Sequence, residues 1–369
     1  MKKDWTYKKL GEVCEINFGT RVVRSRDAGS IYPVYGGGGA TFKMDTYNRE
    51  DCMVISRFGM SEECTRFVKG KFFLNDSGLT LSMKERCMIQ PFMDWQILSL
   101  NNTIYSLGRG AAQKNLDTKA LAEVTISYPP LSEQSRIVSR LDAAFGEIEG
   151  LKAKAEAQLS EARTLFQAAL TQEMKPKQGW EEKAIGEIFK TYAGGTPSKT
   201  DKSYYEDGNI PWIRSGEVCR KYITECEMFI TEKGMKHSSA KYYPVDTVLV
   251  AMYGATAAQV GILKFEATSN QAVCGILPHK DYVPEFVYYW FTNIQKELEG
   301  QAQGNAQPNI SQEKIKRVLI PTIPLPVQQQ IVSRLDALSE KVRELEEAQK
   351  KVIAECDALK QALLREVFE

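Results

Sequence analysis

The side chains able to do chemistry are mostly basic, amide or aromatic, and they sit in glycine-flanked stretches. Early in the chain these are Arg21, Arg24 and Arg26 after Gly19-Thr20, and Tyr35 before the run Gly36–Gly39. Arg57 and Phe58 before Gly59 follow, then Lys69, then Arg109, Gln113 and Lys114 in "RGAAQKN". Later, Lys199 and Lys202 follow the turn Gly194-Gly195-Thr196-Pro197. Arg214 and Ser215 precede Gly216, Tyr253 precedes Gly254, and Gln303, Asn305 and Gln307 lie in "QGNAQPN". An arginine fork can bridge O6 and N7 of guanine, and Asn or Gln can pair with adenine. Glycine lets backbone approach a phosphate closely. The chemistry is that of a surface for double-stranded DNA, and these residues are the expected contacts. Any one of them alone is only a solvated side chain; their matching placement in two parts of the chain is what gives them weight.

Catalytic readings fare worse. Only two histidines occur, His237 and His279, in no metal-ligand spacing, so no metal site is expected. The glycine run lacks a following Gly-Lys-Ser/Thr, which excludes a phosphate-binding loop. Ser127-Tyr128-Pro129-Pro130 has the aromatic before the prolines, the wrong order for an amino-methyltransferase motif, and reads as a rigid entry into a helix. No glycine motif for S-adenosylmethionine, helicase motif or Ser/His/Asp set is present. The chain reads as non-catalytic.

The elements that hold these loops are organised by a repeat. "IVSRLDA" occurs at Ile137–Ala143 and again 194 residues later at Ile331–Ala337. The same offset aligns Gln113 with Gln307, Asn115 with Asn309, Pro130 with Pro324 and Gln134 with Gln328. Asp51, Gly59 and Asn75 align with Asp246, Gly254 and Asn270 at an offset of 195; Trp5, Gly11 and Glu12 align with Trp180, Gly186 and Glu187 at 175. The ends of the copies match and the middles diverge. Two readers of different targets would look like this, and so would neutral drift.

After Pro130 and Pro324 the pattern becomes helical. Apolar or small residues run Ile137, Leu141, Ala144, Ile148, Leu151, Ala155, then Ala162, Leu165 and Ala169. The second series is Ile331, Leu335, Leu338, Val342, Leu345, then Val352, Cys356, Leu359 and Leu363. This 4/3 spacing is a heptad seam, interrupted at Gln158 and at Gln349. The expected architecture is α+β. It has two globular domains, 1–130 and 176–325, separated by helices at 131–175 and 326–369 that form an antiparallel coiled coil with an internal pseudo-two-fold repeat. Strands are expected at Cys52–Ser56 and Thr247–Ala251, and a helix over Pro284–Leu298.

Composition sets the outer bounds. Of 369 residues, 43% are hydrophobic and 26% charged, ordinary for domains with packed cores. The charged N-terminus has no signal-like or membrane-spanning apolar run behind it, so a cytoplasmic chain is expected. The eight cysteines show no CxxC pair and are expected to be buried thiols. Basic residues outnumber acidic ones by 18 to 14 in residues 1–130 and fall behind by 16 to 17 in residues 180–325. Bulk charge therefore cannot hold nucleic acid; local clusters or a partner must.

These stretches resemble a known family, the specificity (HsdS) subunits of type I restriction-modification systems. The carriers are "GEVCEINFGT" and "GEIFKTYAGGTPS", then "IPWIRSGEV" and "VLVAMYGATAAQVGI". Most telling are the closing pairs "AQKNLDTKALAEVTISYPPLSEQSRIVSRLDA" and "AQPNISQEKIKRVLIPTIPLPVQQQIVSRLDA". The resemblance implies two target recognition domains that read the halves of a bipartite, asymmetric DNA site, with the helices as spacer. It implies two HsdM methyltransferase subunits docked on the helices, methylating adenine with S-adenosylmethionine. It also implies HsdR restriction subunits using ATP and Mg. The chain itself would bind none of these cofactors. Val327 stands where the first copy has Glu133, which weakens a capping box at the second helix. The alternative is a coiled-coil scaffold without sequence readout.

Overall fold

The computed structural model describes residues 4–84, 86–110, 113–300 and 309–369. It divides into two compact units, 1–157 with 349–369 and 158–348. The division falls at Gln158 and Gln349, where the apolar spacing of the helices is interrupted. The four-segment reading of the sequence followed the order of elements along the chain. Packing instead assigns part of each long helix to each unit.

In the first unit, Cys52-Met53-Val54-Ile55-Ser56 lies in the strand Arg49–Ser56, buried on both faces over its second half. It pairs antiparallel with Thr65–Leu74 and with Gly78–Met83, which carries Cys14–Phe18 on its other edge. Tyr32–Tyr35 joins parallel to Thr65–Leu74 and carries Lys43–Met44. The helix Gln90–Ser99 packs Phe92, Met93 and Ile97 against Ile55, Leu79 and Leu10. The second unit has a five-stranded sheet around Val248–Ala251 and a three-stranded sheet around Ile210–Ile213. Its core gathers Val248, Ile262, Phe286 and Phe291.

The matching ends of the two copies have one physical cause. Thr6–Lys9 pairs antiparallel with Thr125–Tyr128, Thr6 opposite Tyr128. Glu181–Ala184 pairs with Leu319–Thr322 in the same register, Glu181 opposite Thr322. Leu10 N donates to Val124 O and Ile185 N to Val318 O, both at 2.8 Å. A β-carbon on Gly11 would stand 2.9 Å from that of Ala122, and one on Gly186 3.0 Å from that of Lys316. The glycine after each opening tryptophan is thus required by close approach.

The helix expected over Pro284–Leu298 is two pieces, Pro284–Asn293 and Gln295–Gly300. It breaks at Ile294, whose φ of −93° and ψ of 7° leave the helical region. The first unit has the same break at Leu100, between Gln90–Ser99 and Asn101–Ser106, in an element the sequence pattern did not reveal.

The long helices are Leu131–Met174 and Leu325–Phe368, each of 44 residues rich in Ala, Glu, Lys, Leu and Gln. Prolines precede both, and Pro176 bars continuation of the first. Within the first unit, Arg140 pairs with Glu366 at 3.0 Å and Lys152 with Asp357 at 2.9 Å; Lys360 also pairs with Glu149. Within the second, Arg163 pairs with Glu346 at 2.7 Å and Arg334 with Glu173 at 2.8 Å. One partner's number rises as the other's falls, which is an antiparallel coiled coil.

The seam is narrower than the spacing suggested. Leu141, Ile148, Ala155 and Ala162, one strict heptad position, are buried, whereas Leu151 and Leu165 are exposed. In the second helix Ile331, Leu335, Cys356 and Leu364 are buried and Leu359 is exposed. Lysine stems cover part of the seam instead: the side chain of Lys360 is 15% exposed.

The "IVSRLDA" repeat is explained residue by residue. Val138 with Leu141, and Ile331, Val332 and Leu335, are buried. A fully buried aliphatic side chain contributes roughly 1.5–3 kcal/mol. Arg140 and Arg334 make the interhelical pairs. Asp142 accepts the Trp95 indole N–H at 2.9 Å, and Asp336 accepts the Tyr289 hydroxyl and the Lys221 ammonium. Ser139 and Ser333 are exposed, and among the described residues no contact explains their identity. Glu133 bonds Arg136 at 2.7 Å, and that guanidinium holds its carboxyl below the usual range. The second copy has Val327 and Gln330 at these places, so both partners of the pair changed together.

All eight cysteines are free thiols. Cys14, Cys64, Cys274 and Cys356 are buried, whereas Cys52, Cys87 and Cys226 are half-buried and Cys219 is exposed, against the expectation of buried thiols throughout. Among the described residues no helix is long and apolar enough to cross a membrane.

Candidate nucleic-acid interface

In the first unit the fold brings two predicted stretches side by side. Leu116 N donates to Arg57 O at 2.8 Å, Met60 N to Lys114 O at 3.0 Å, and Phe58 bridges Asn115. Gly59 takes a φ of +59°, the left-handed region that glycine adopts freely, and its N–H donates to Asn115 Oδ1 at 3.3 Å. A β-carbon on Gly59 would stand 3.0 Å from Gln113 Nε2. Arg57, Phe58, Gln113 and Lys114 therefore share one surface, with Arg109 on the adjoining strand. Lys114 Nζ lies 3.8 Å from the centre of the Tyr105 ring. Arg109 is bound by Asp117, whose carboxyl is held low first by the Ala120 N–H and then by Arg109 itself.

The second unit repeats the geometry. Tyr253 bridges Asn309, Ile310 N donates to Met252 O at 2.8 Å, and Gly254 has a φ of +74°. Phe58 and Tyr253 are thus structural equivalents, as are Arg57 and Met252. Gln303, Asn305 and Gln307 lie outside the described residues.

Other predicted contacts go elsewhere. Arg214 is engaged by Glu217 at 3.4 Å and by Glu227, and Ser215 opens the short helical turn Ser215–Glu217 that Glu217 caps. That guanidinium already has its acceptors. Tyr35 packs edge-on against Phe72, ring centres 5.5 Å apart, as part of the core behind the sheet. Arg26 is paired with Asp27 at 2.9 Å, while Arg21 and Arg24 are exposed beside it. Lys69 sits beside Gly70 in the strand Thr65–Leu74, and Lys199 and Lys202 are exposed near the turn Lys202–Tyr204. Of the glycine run, Gly36 is pressed against Ser77 and Asn75, whereas Gly38 and Gly39 have open space around them. That run is half packing and half surface.

Sequence reasoning missed Phe18. It ends the strand Cys14–Phe18, is 46% exposed, and its ring centre lies 4.6 Å from the guanidinium carbon of Arg57. It also missed Arg49, which donates to Phe18 O at 3.3 Å and to Thr80 Oγ1 at 3.1 Å and so fixes the end of that strand. The only available signal was an aromatic residue immediately before Gly19 in "NFGT".

The family model for the type I restriction modification DNA specificity domain matches residues 2–160 and again residues 177–355, and the chain belongs to that family. The specificity subunit of the type I restriction enzyme EcoR124I/EcoR124II of Escherichia coli is 30% identical over 212 residues, 56% of this chain and 52% of that one. The chain thus spans about half the length of that curated relative. A solved structure concerned with complex assembly and conformational transition of the type I R-M system matches with a TM-score of 0.75 at 17% identity, covering 99% of this chain and 97% of that one. The HsdS subunit of Thermoanaerobacter tengcongensis matches with a TM-score of 0.51 at 18% identity, covering 100% and 97%. The structural likenesses share the fold: α+β bodies with long paired helices.

Proposed function

We propose that the chain is the DNA-specificity subunit of a type I restriction-modification complex and reads a bipartite, asymmetric site, one half per unit. The observation that carries this is the shared geometry at Phe58–Asn115 and Tyr253–Asn309: like backbones present the exposed rings of Phe58 and Tyr253, beside a half-buried Arg57 in one unit and a buried Met252 in the other. The same frame with different contents suits two unlike half-sites better than a palindrome.

In this reading the chain supplies the address and no catalysis. Two HsdM subunits dock on the long helices and methylate adenine at N6 using S-adenosylmethionine. HsdR subunits add restriction with ATP and Mg, and this chain binds none of these cofactors. The exposed Leu151 and Leu359 on the paired helices support docking of a partner there. The near-neutral charge supports a DNA grip shared with those partners. A scaffold without readout would account for the helices but not for the paired glycine-flanked surfaces.

The test is exchange of residues 1–130 for the corresponding segment of another family member, followed by mapping of methylated sites. One half of the motif should change and the other stay. Change in both halves, or in neither, would overturn the reading.

A further inference from the structure

One arginine on the surface of the first unit is held unlike its neighbours. Arg26 is bound by Asp27 and Arg109 by Asp117, and Arg66 donates to the carbonyls of Gly37 and Glu63. Arg57 makes no ion pair among the described residues. Its guanidinium carbon instead lies 4.6 Å from the ring centre of Phe18 and 4.5 Å from that of Phe58. Both rings are substantially exposed, Phe58 at 38%.

Each member of the group is fixed from behind. Arg57 N donates to Ser77 O at 2.8 Å, and its carbonyl accepts from Leu116. Phe18 pairs with Leu79, and Arg49 holds its carbonyl. Phe58 bridges Asn115. Contact with two rings limits the directions the guanidinium plane can take, while its N–H donors keep no protein acceptor among the described residues. A phosphate accepts from many directions and so depends less on a fixed plane than a base edge does, even where the fork binds it bidentately. A planar fork of fixed direction matches the two acceptors, O6 and N7, on the major-groove edge of guanine.

The second unit lacks the device. The backbone equivalents of Phe18, Arg57 and Phe58 are Ala193, Met252 and Tyr253. Met252 is 2% exposed and belongs to the core, so only Tyr253 is offered to a ligand.

We propose that Arg57, oriented by Phe18 and Phe58, reads a guanine in the half-site of the first unit, and that the second unit carries no cationic reader at the matching place. The proposal rests on the specificity-subunit reading and names the base and the residue within it.

The test uses the full chain expressed with the modification subunits of its own system, with methylated positions mapped across the host chromosome by long-read sequencing. Wild type should give a two-part motif with a guanine in the half assigned to residues 1–130 by the exchange experiment. Arg57→Lys, which keeps the charge but loses the fork, and Arg57→Gln should each lower discrimination at one guanine roughly 5- to 150-fold and leave the other half unchanged. Phe18→Ala should weaken discrimination at that same position. If both Arg57 variants retain every base of the wild-type motif, the proposal is overturned. Uniform loss across both halves, or loss of all methylation by a folded Arg57→Lys chain, overturns it too, because a phosphate or assembly role would produce those results. Should Arg57→Gln fail to fold, Arg57→Lys decides. A wild-type chain that gave no two-part motif would instead overturn the specificity-subunit reading itself.

Discussion

Gln134 Nε2 donates to the carbonyl of Pro129, five residues earlier, at 2.8 Å. The same amide group donates to Cys87 O at 3.0 Å and accepts from Ile89 N at 2.9 Å, all with the side chain fully buried. Gln328 repeats the set with Ile323 O, Asp281 O and Val283 N at 2.8, 2.8 and 2.9 Å. One amide thus ties the start of each long helix to the segment leading into the shorter helix of its body.

Gln134→Leu should therefore be costly despite its similar volume. Two carbonyls and one N–H would be left without partners, at about 1–3 kcal/mol for each buried group, with the sum less than additive. A loss of about 3–5 kcal/mol in denaturant unfolding of the first unit is expected. A loss below about 1 kcal/mol would show that water can replace the amide.

Asp94 gives a pH dependence. Burial pushes its carboxyl up to about 6 from an unfolded value near 3.8, against one hydrogen bond from Gln90. Because the folded state binds the proton more tightly, the associated stability is complete below about pH 4 and is lost as pH rises through about 6. Asp94→Asn should then stabilise the chain at pH 8 by about 1–3 kcal/mol and make little difference at pH 4. Thermal or denaturant unfolding at the two pH values checks this, and equal effects at both would refute it.

Gly11 and Ala122 form a second pair open to a double substitution. Gly11→Ala should cost about 1–3 kcal/mol by overpacking against the Ala122 methyl, 2.9 Å from the new β-carbon. Adding Ala122→Gly should recover part of the loss. A double-mutant cycle without coupling would mean that the backbones simply move apart.

On the long helices, Leu151→Glu and Leu359→Glu should leave the unfolding temperature nearly unchanged, since the two side chains are 53% and 49% exposed. Co-purification with the methyltransferase subunits should fall sharply if those leucines face a partner. Retained co-purification would place the docking surface elsewhere.

The frame was readable because identical residues at fixed offsets do identical jobs. Gly11 with Gly186, Gln134 with Gln328 and Asp142 with Asp336 each meet equivalent partners in their own copy. The surface was half readable. The segments around Arg57 and Lys114 were both singled out, but nothing in a linear pattern shows that residues more than fifty positions apart lie side by side. Arg214 and Tyr35 show the converse: the linear pattern did not show that Glu217 and Glu227 engage the one and that the Phe72 ring packs against the other. The heptad spacing of the helices was correct in period, yet spacing cannot tell a leucine facing the partner helix from one facing outward, as Leu151 and Leu165 show.

The antiparallel pairing of Thr6–Lys9 with Thr125–Tyr128, and of Glu181–Ala184 with Leu319–Thr322, has a consequence for inheritance. Each copy enters and leaves its body through one doorway of two adjacent strands. Genetic exchange of everything between the jambs would replace the contents of a body and leave its door frame standing.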